Sequence, residues 1–313
     1  MNSINIEELI KFLISKQSET KTINILDGYK LFQNHNRMYK APDTVTYYVT
    51  NLKQILAYFN WHKIYNTSQI TKEILTSYVN YRLSNSKIKN ATLNKELKAL
   101  YTLENFLARN EYIDSFVKID LLSETIPQII TVEQKDLDRI LAYIKTLSCQ
   151  SQLIILLLIS TGIRTTELTR ITRDNVDLLN NQIYLEQTKS KKPRFIFITD
   201  NHIKDLIIQN MERNKKNNFL LFSSKDGSQY TANAVREILK KIKRKLDIKK
   251  LSPHKLRHTY ATHLMEEGAD LESVRLLLGH STYEMTKRYV HLSTRHIKEV
   301  NNRYNVLKKS ETY

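Results

Sequence analysis

The stretch Leu251–Leu264, "LSPHKLRHTYATHL", sets His254 and Arg257 three residues apart. If the chain is helical from Pro253 onward, both side chains leave the same side of the helix. Three other segments have to be explained with it. "STGIRTTELTRI" (Ser160–Ile171) has Gly162, which permits a tight turn at positive φ. Arg164 then starts the next helix, and Glu167 lies on the same face within reach of its guanidinium. "TKSKKPR" (Thr188–Arg194) places Lys189, Lys191, Lys192 and Arg194 on a basic hairpin tip, between two runs ("QIYLEQ" and "RFIFIT") with the β-branched and aromatic content of strands. "LLLGHSTYEMTKRYVHLS" (Leu276–Ser293) follows Gly279–His280 with two tyrosines, Tyr283 and Tyr289.

Each residue alone reads as an ordinary surface or packing group. Other site chemistries fit poorly. A zinc site on His254, His258 and His263 would need a Glu after the first His, and Lys255 stands there. There is no G-x-S-x-G and no P-loop, and the single cysteine, Cys149, sits in apolar surroundings. Taken together, however, the cations and the tyrosine share one chemical logic. Two arginines can fork onto the nonbridging oxygens of a phosphodiester and stabilise a pentacoordinate transition state. A lysine can protonate the departing 5′ oxygen, and a phenol can attack phosphorus and hold the strand covalently. A phenol is only about 0.1% ionised at neutral pH, so it needs a base, for which His254 is the candidate. This chemistry requires no metal and no other cofactor.

Composition agrees with a polyanionic partner: 49 Lys and Arg against 32 Asp and Glu give a formal charge of +17. With 5 Gly and 4 Pro among 313 residues, long helices joined by short loops are expected. The start "MNSINIEELIKFL" does not have the layout of a signal peptide, and "LIILLLIS" (Leu153–Ser160) is too short to span a membrane. A cytoplasmic, nucleoid-associated protein with no membrane partner is the expectation.

A short amphipathic helix is expected in residues 1–20, followed by a polar stretch. Three clearer helices come next. Asp43–Asn60 has Val45, Val49, Leu52, Ile55, Leu56 and Phe59 on one face; a second is capped by Thr71 and a third by Asn90. Lys87, Lys89, Lys95 and Lys98 decorate this unit and are candidate DNA contacts, the alternative being a solvated surface. Periodicity lapses around Pro127, which predicts a domain at 1–112, a linker at 113–130 and a second domain at 131–313 opened by a Thr131/Gln134 capping box. Helices resume around Ala232–Leu246. Ser281 and Glu284 predict a second capping box, with Tyr283 in its helix's first turn and Tyr289 nearly two turns on.

"TGIRTTEL", "HKLRHTYATHL" and "LLGHSTYEMTKRYVHLS" resemble, in order and spacing, the motifs of the tyrosine recombinases, the family of phage integrases and Xer recombinases. "ATLNKELKALYTLENFLARNEYI" is similar to the last helix of that family's core-binding domain. The resemblance implies a mainly α (α+β) fold: a helical core-binding domain, then a mostly helical catalytic domain with a small antiparallel sheet. It implies catalytic roles for Arg164, Lys189, His254, Arg257, His280 and the nucleophile Tyr289, with Glu167 in support. Lys191, Lys192 and Arg194 would join the DNA contacts. It implies cleavage and rejoining of a double-stranded DNA recombination site by a homotetramer on synapsed DNA, with or without a second recombinase or accessory protein. The stripe Ile297, Val300, Tyr304 and Leu307 would dock on a neighbouring subunit. The short N-terminal extension suits an Xer-like layout. Two alternatives stand beside this reading: a non-catalytic DNA-binding or architectural protein on the same scaffold, and a topoisomerase-like relaxing enzyme. Covalent adduct formation separates the first, and sequence-independent relaxation the second.

Overall fold

A computed structural model describes residues 21–85, 88–118, 120–124, 129–186, 193–213, 217–223 and 226–289. The helix expected in residues 1–20, Lys87, the tip lysines Lys189, Lys191 and Lys192, and the stripe from Ile297 to Leu307 lie outside them. The fold is mainly helical with one small antiparallel sheet, and the chain divides into two compact units after Ile126.

Among its described residues the first unit has four α-helices: α1 (Ile25–Tyr39), α2 (Pro42–Trp61), α3 (Lys72–Asn85) and α4 (Asn90–Arg109). Its core follows the helical period. Leu52, Ile55 and Phe59 of α2 meet Leu93, Leu97, Leu100, Leu103 and Leu107 of α4, all buried. Each such side chain contributes roughly 1.5–3 kcal/mol by leaving water. Val49, expected on the inward face, is instead exposed. Thr71 caps α3 as its spacing predicts, its Oγ1 accepting from the Ile74 amide at 3.4 Å. Asn90 does not cap α4. It is the first helical residue, and its side-chain amide donates to the Ser123 carbonyl at 2.9 Å. That bond belongs to a wider anchoring of the following chain. Asn94 accepts from the Leu122 amide and donates to its carbonyl, while Ile113, Phe116, Val117 and Leu122 pack on the core. The described residues between Ile113 and Glu124, read from sequence as linker, are therefore held against the helices. A second buried anchor is Glu96, which accepts from Tyr78 Oη at 2.6 Å and from Arg82 Nη2 at 2.7 Å.

The second unit is built around α6 (Cys149–Thr161), whose apolar run is buried and which packs on α8 (Asn201–Arg213) and α10 (Pro253–Glu266). Before it lies α5 (Gln134–Ile144). Glu133 occupies its N-cap without a capping side chain, so the expected Thr131/Gln134 box does not form. After α6 come the single-turn α7 (Thr165–Leu168) and three antiparallel strands in the order β1 (Val176–Asp177), β2 (Gln182–Leu185), β3 (Arg194–Phe197). Ile183 pairs with Ile196, and the two-residue alternation turns Ile183, Leu185 and Ile196 into the core and Tyr184, Phe195 and Phe197 outward. Helices α9 (Ala232–Lys245), α11 (Leu271–Leu278) and α12 (Glu284–Lys287) are its other described α-helices. Among the described residues no helix is long and apolar enough to cross a membrane.

Candidate active site

Two glycine-capped helix ends organise the site. Helix α6 stops at Gly162 (φ 59°) and α11 at Gly279 (φ 62°), both left-handed, where a Cβ is costly. Space requires glycine as well: a Cβ at Gly162 would come 2.6 Å from the Tyr260 ring, and one at Gly279 2.6 Å from Arg194 Nη1.

Helix ends expose carbonyls without intrahelical partners and carry partial negative charge. Three arginines use the end of α11. Arg194 Nε donates to Leu277 O at 3.1 Å, Arg257 Nη2 to Leu278 O at 2.5 Å and Arg164 Nη2 to Gly279 O at 3.0 Å. Arg257 Nη1 also donates to Gly162 O at 2.6 Å, which ties the two caps together.

Glu167 holds two of these cations. Its Oε1 accepts from Arg164 Nη1 at 2.8 Å and Arg194 Nη1 at 2.9 Å, and its Oε2 from Arg194 Nη2 at 2.7 Å and the Arg164 amide at 3.0 Å. Burial alone would raise this carboxyl. The Arg194 bonds and charge, followed by those of Arg164, hold it at about 2. Arg194, expected at the hairpin tip among DNA contacts, is turned inward instead. Its side chain is 10% exposed, and its donors are committed to Glu167 and Leu277. Its place at the start of β3 aims it at α11.

Arg257 is buried, and burial, then Arg164, lower it to about 9, so it stays charged at neutral pH. His280 is buried beside these cations. Burial, then Arg257 and Arg164, push it down to about 3, and its Nδ1 lies 2.8 Å from Thr286 Oγ1. His254, on the first turn of α10, is exposed; burial of part of its ring and the neighbouring arginines lower its pKa.

The two tyrosines differ completely. Tyr283 is exposed, under the Arg275 guanidinium at 5.2 Å, and occupies the N-cap of α12. The Ser281/Glu284 box does not form: Ser281 Oγ contacts Met285 Sδ, and Glu284 pairs with Lys287. Tyr289 is 1% exposed and packs among Ala261, Met265, Val274 and Leu278. Its Oη lies 2.6 Å from Nδ1 of His258, a residue that sequence reasoning weighed only as a zinc ligand. Thr286 was missed too. Neither has a local sequence signal, because each depends on where the chain after α11 folds back. Among the described residues no group of three or more His, Cys, Asp or Glu side chains is placed to hold a metal ion.

Arg164, Arg257, His280 and Tyr289, from three separated motifs, thus meet around the end of α11. Lys189 lies outside the described residues. In the first unit Lys89, Lys95 and Lys98 are exposed on or beside α4.

A family model described as the phage integrase family matches residues 131–296. The tyrosine recombinase XerC of Bacillus subtilis (strain 168) is 30% identical over 289 residues, covering 86% of this chain and 93% of the relative. XerC of Staphylococcus aureus (strain MSSA476) is 31% identical over 240 residues, covering 72% of this chain and 78% of the relative. The fold resembles XerH site-specific recombinase bound to a palindromic difH substrate (TM-score 0.70, 20% identity, 84% of this chain and 80% of that one). It also resembles a lambda integrase dimer bound to a COC' core site (TM-score 0.71, 14% identity, 90% and 81%). With its motifs, its fold and these relatives in agreement, the chain belongs to the phage integrase family of tyrosine recombinases.

Proposed function

We propose that this protein cleaves and rejoins double-stranded DNA at a specific site through a 3′-phosphotyrosyl intermediate on Tyr289. The observation that carries this reading is the convergence of Arg164, Arg257, His280 and Tyr289 at one helix end. Arg164 and Arg257 use part of their donor set on backbone carbonyls and Glu167, which fixes the guanidinium planes. Their other N–H groups can receive two nonbridging phosphate oxygens. His254 and the neutral His280 add polar contacts, and Lys189 protonates the departing 5′ oxygen. Conserving the bond energy in the phosphotyrosyl link allows religation without a nucleotide cofactor.

Tyr289 is buried, so DNA binding must uncover its oxygen before attack. The partner is duplex DNA held mainly through phosphates, with Lys87, Lys89, Lys95, Lys98, Lys191 and Lys192 among the cations in contact. The related proteins whose structures contain DNA, including a lambda integrase dimer on its core site, support that partner and an assembly of several copies, for which we propose a tetramer on two sites. The outcome is integration, excision, inversion or dimer resolution.

The test is covalent trapping. A library of nicked duplexes with a randomised core is incubated with the protein, and denaturing gels separate protein joined to DNA. An adduct lost in Tyr289→Phe and kept in Tyr283→Phe is expected. Adducts that persist in Tyr289→Phe, or a wild type that joins no duplex, would overturn the reading.

A further inference from the structure

A tyrosine nucleophile needs a base, and among the described residues the histidine in contact with Tyr289 is His258. Tyr289 Oη and His258 Nδ1 are 2.6 Å apart. The two rings stand 5.8 Å apart at 50°, so the contact is made through the heteroatoms and is not a stack. Protonation states fix its direction. Burial raises the Tyr289 pKa, and Arg257 and Arg288 only partly oppose this, so the phenol keeps its proton near neutrality. Burial, then Lys255, His254, Arg288 and Arg257, lower His258 to about 4, so the imidazole is neutral. A neutral imidazole has one lone pair, and a protonated phenol beside it donates. His258 therefore holds its ring proton on Nε2 and offers Nδ1 to the phenol.

We propose that His258 orients Tyr289 and accepts its proton as the phenol attacks DNA; this rests on Tyr289 being the nucleophile. The step balances without any further reagent. The Tyr289 O–H bond breaks and its proton goes to His258 Nδ1. The Oη–P bond forms, the P–O5′ bond breaks, and the leaving oxygen takes a proton from Lys189. Religation reverses each transfer.

Position favours His258 over His254. His258 directly follows Arg257 on α10, so the base and a phosphate-binding guanidinium are carried by one rigid element. His254 lies a turn earlier, is exposed, and makes no hydrogen bond to Tyr289 among the described residues. The surrounding charges also make the base responsive to substrate. The groups that face His258 are Lys255, His254 and Arg257 on its own helix, and Arg288 and Tyr289 from the segment after α12. A phosphodiester arriving at Arg257 offsets part of the positive field that opposes imidazolium formation, so His258 becomes more basic when DNA is in place.

The experiment uses the full-length chain and a nicked duplex that the wild type joins covalently, in single-turnover cleavage from pH 5 to 9. Two variants are compared. His258→Ala removes the group; His258→Asn keeps a hydrogen-bond acceptor close to the Nδ1 position but cannot hold the proton. Both should bind the duplex with wild-type affinity and cleave roughly 100-fold more slowly at neutral pH, within the range for loss of a general base. Their rates should keep rising with pH where the wild type levels off. A duplex with a 5′-bridging phosphorothiolate, whose sulfur leaves without a proton, should correct Lys189→Ala and leave the His258 variants slow. Three results would overturn the proposal: variants as fast as wild type, His258→Ala faster than wild type (the imidazole then only restrains Tyr289), or His258→Asn with the full wild-type rate and pH profile. Failure of the nucleophile reading is separate, since Tyr289→Phe would then still form the adduct.

Discussion

Replacing Glu167 by Gln tests the electrostatic core of the site, because it keeps the side chain's shape and removes its charge. The carboxyl sits at about 2, against an ordinary value of 4.5, with burial opposing and Arg194 and Arg164 enforcing the ionised form. At about 1.36 kcal/mol per pH unit, that difference corresponds to about 3 kcal/mol of stability. Breaking a buried ion pair by removing one partner typically costs roughly 3–5 kcal/mol, so a second route gives a similar size. In a unit of this length about 3 kcal/mol lowers the melting temperature by roughly 6–12 °C. Trp61, the single tryptophan, lies in the first unit, so its fluorescence follows that unit alone, and circular dichroism of the whole chain then resolves the second. The pH dependence gives the decisive sign. The folded-state value lies below the unfolded one, so the carboxylate's contribution is complete above about pH 4.5 and is lost as pH falls toward 2. The gap between wild type and Glu167→Gln should be full near pH 7 and close toward about pH 2.5. A gap that does not change with pH, or no gap at pH 7, would refute the reasoning.

Three further outcomes are expected. Glu104 is buried with no hydrogen-bond partner for Oε2 among the described residues, and burial pushes it up to about 8. Its stability contribution is therefore greatest below about pH 4.5 and declines as pH rises toward 8, so Glu104→Gln should stabilise the first unit at pH 7 by about 2–3 kcal/mol in urea titrations read by Trp61 fluorescence; a loss of stability would contradict this. Gly279→Ala forces a Cβ to 2.6 Å from Arg194 Nη1 at φ 62°, and should cost about 1–3 kcal/mol in thermal melts. Combined with Glu167→Gln it should fall short of additivity, because both act through Arg194. Thr286→Val keeps the shape and removes the partner of His280 Nδ1, so single-turnover DNA cleavage should drop about tenfold at unchanged DNA affinity, with Thr286→Ser restoring it.

Where local rules suffice, the sequence foretells the structure. β-Branched and aromatic content marked β2 and β3, and the 3.6-residue period marked α2 and the buried leucines of α4. Helix α1 escaped that reading because Gly28, Asn34 and Asn36 make it a poor helix on propensity. Gly28 is there for packing, as a Cβ would meet Leu107 at 3.0 Å, a contact that α1 alone cannot announce. Helix α8 also went unread from sequence. Capping was the weakest guide: the pattern at Thr131 and the one at Ser281 both lacked the expected bond, because the chain enters each helix later than the pattern suggests. At the site, Arg164, Arg257, His280 and Tyr289 were legible because their motifs keep order and spacing. Arg194 was visible only as a basic residue near a hairpin. Which way it turns depends on Glu167, 27 residues earlier in the chain, and on α11, far beyond it.

The same bonds explain why the site is built from so many cations. Arg164, Arg194 and Arg257 crowd one helix end with its partial negative charge, and among the described residues the carboxylate paired with them is Glu167 of α7. Glu167 satisfies Arg164 and Arg194, while among the described residues Arg257 is hydrogen-bonded to the carbonyls of Gly162 and Leu278. Burial first, and then the neighbouring Arg164 and Arg194, lower Arg257 to about 9. A fold that maximised its own stability would place a second acid there. Under the proposed function, an incoming anion would take the neutralising role at guanidiniums that these bonds already orient. Binding and preorganisation would then act through the same groups, with little reorganisation left for the moment when charge builds up on phosphorus. His258 and His280 follow the same logic: burial, then the surrounding positive charge, keeps both neutral, and under the proposed function both would gain basicity from the anion that the arginines attract.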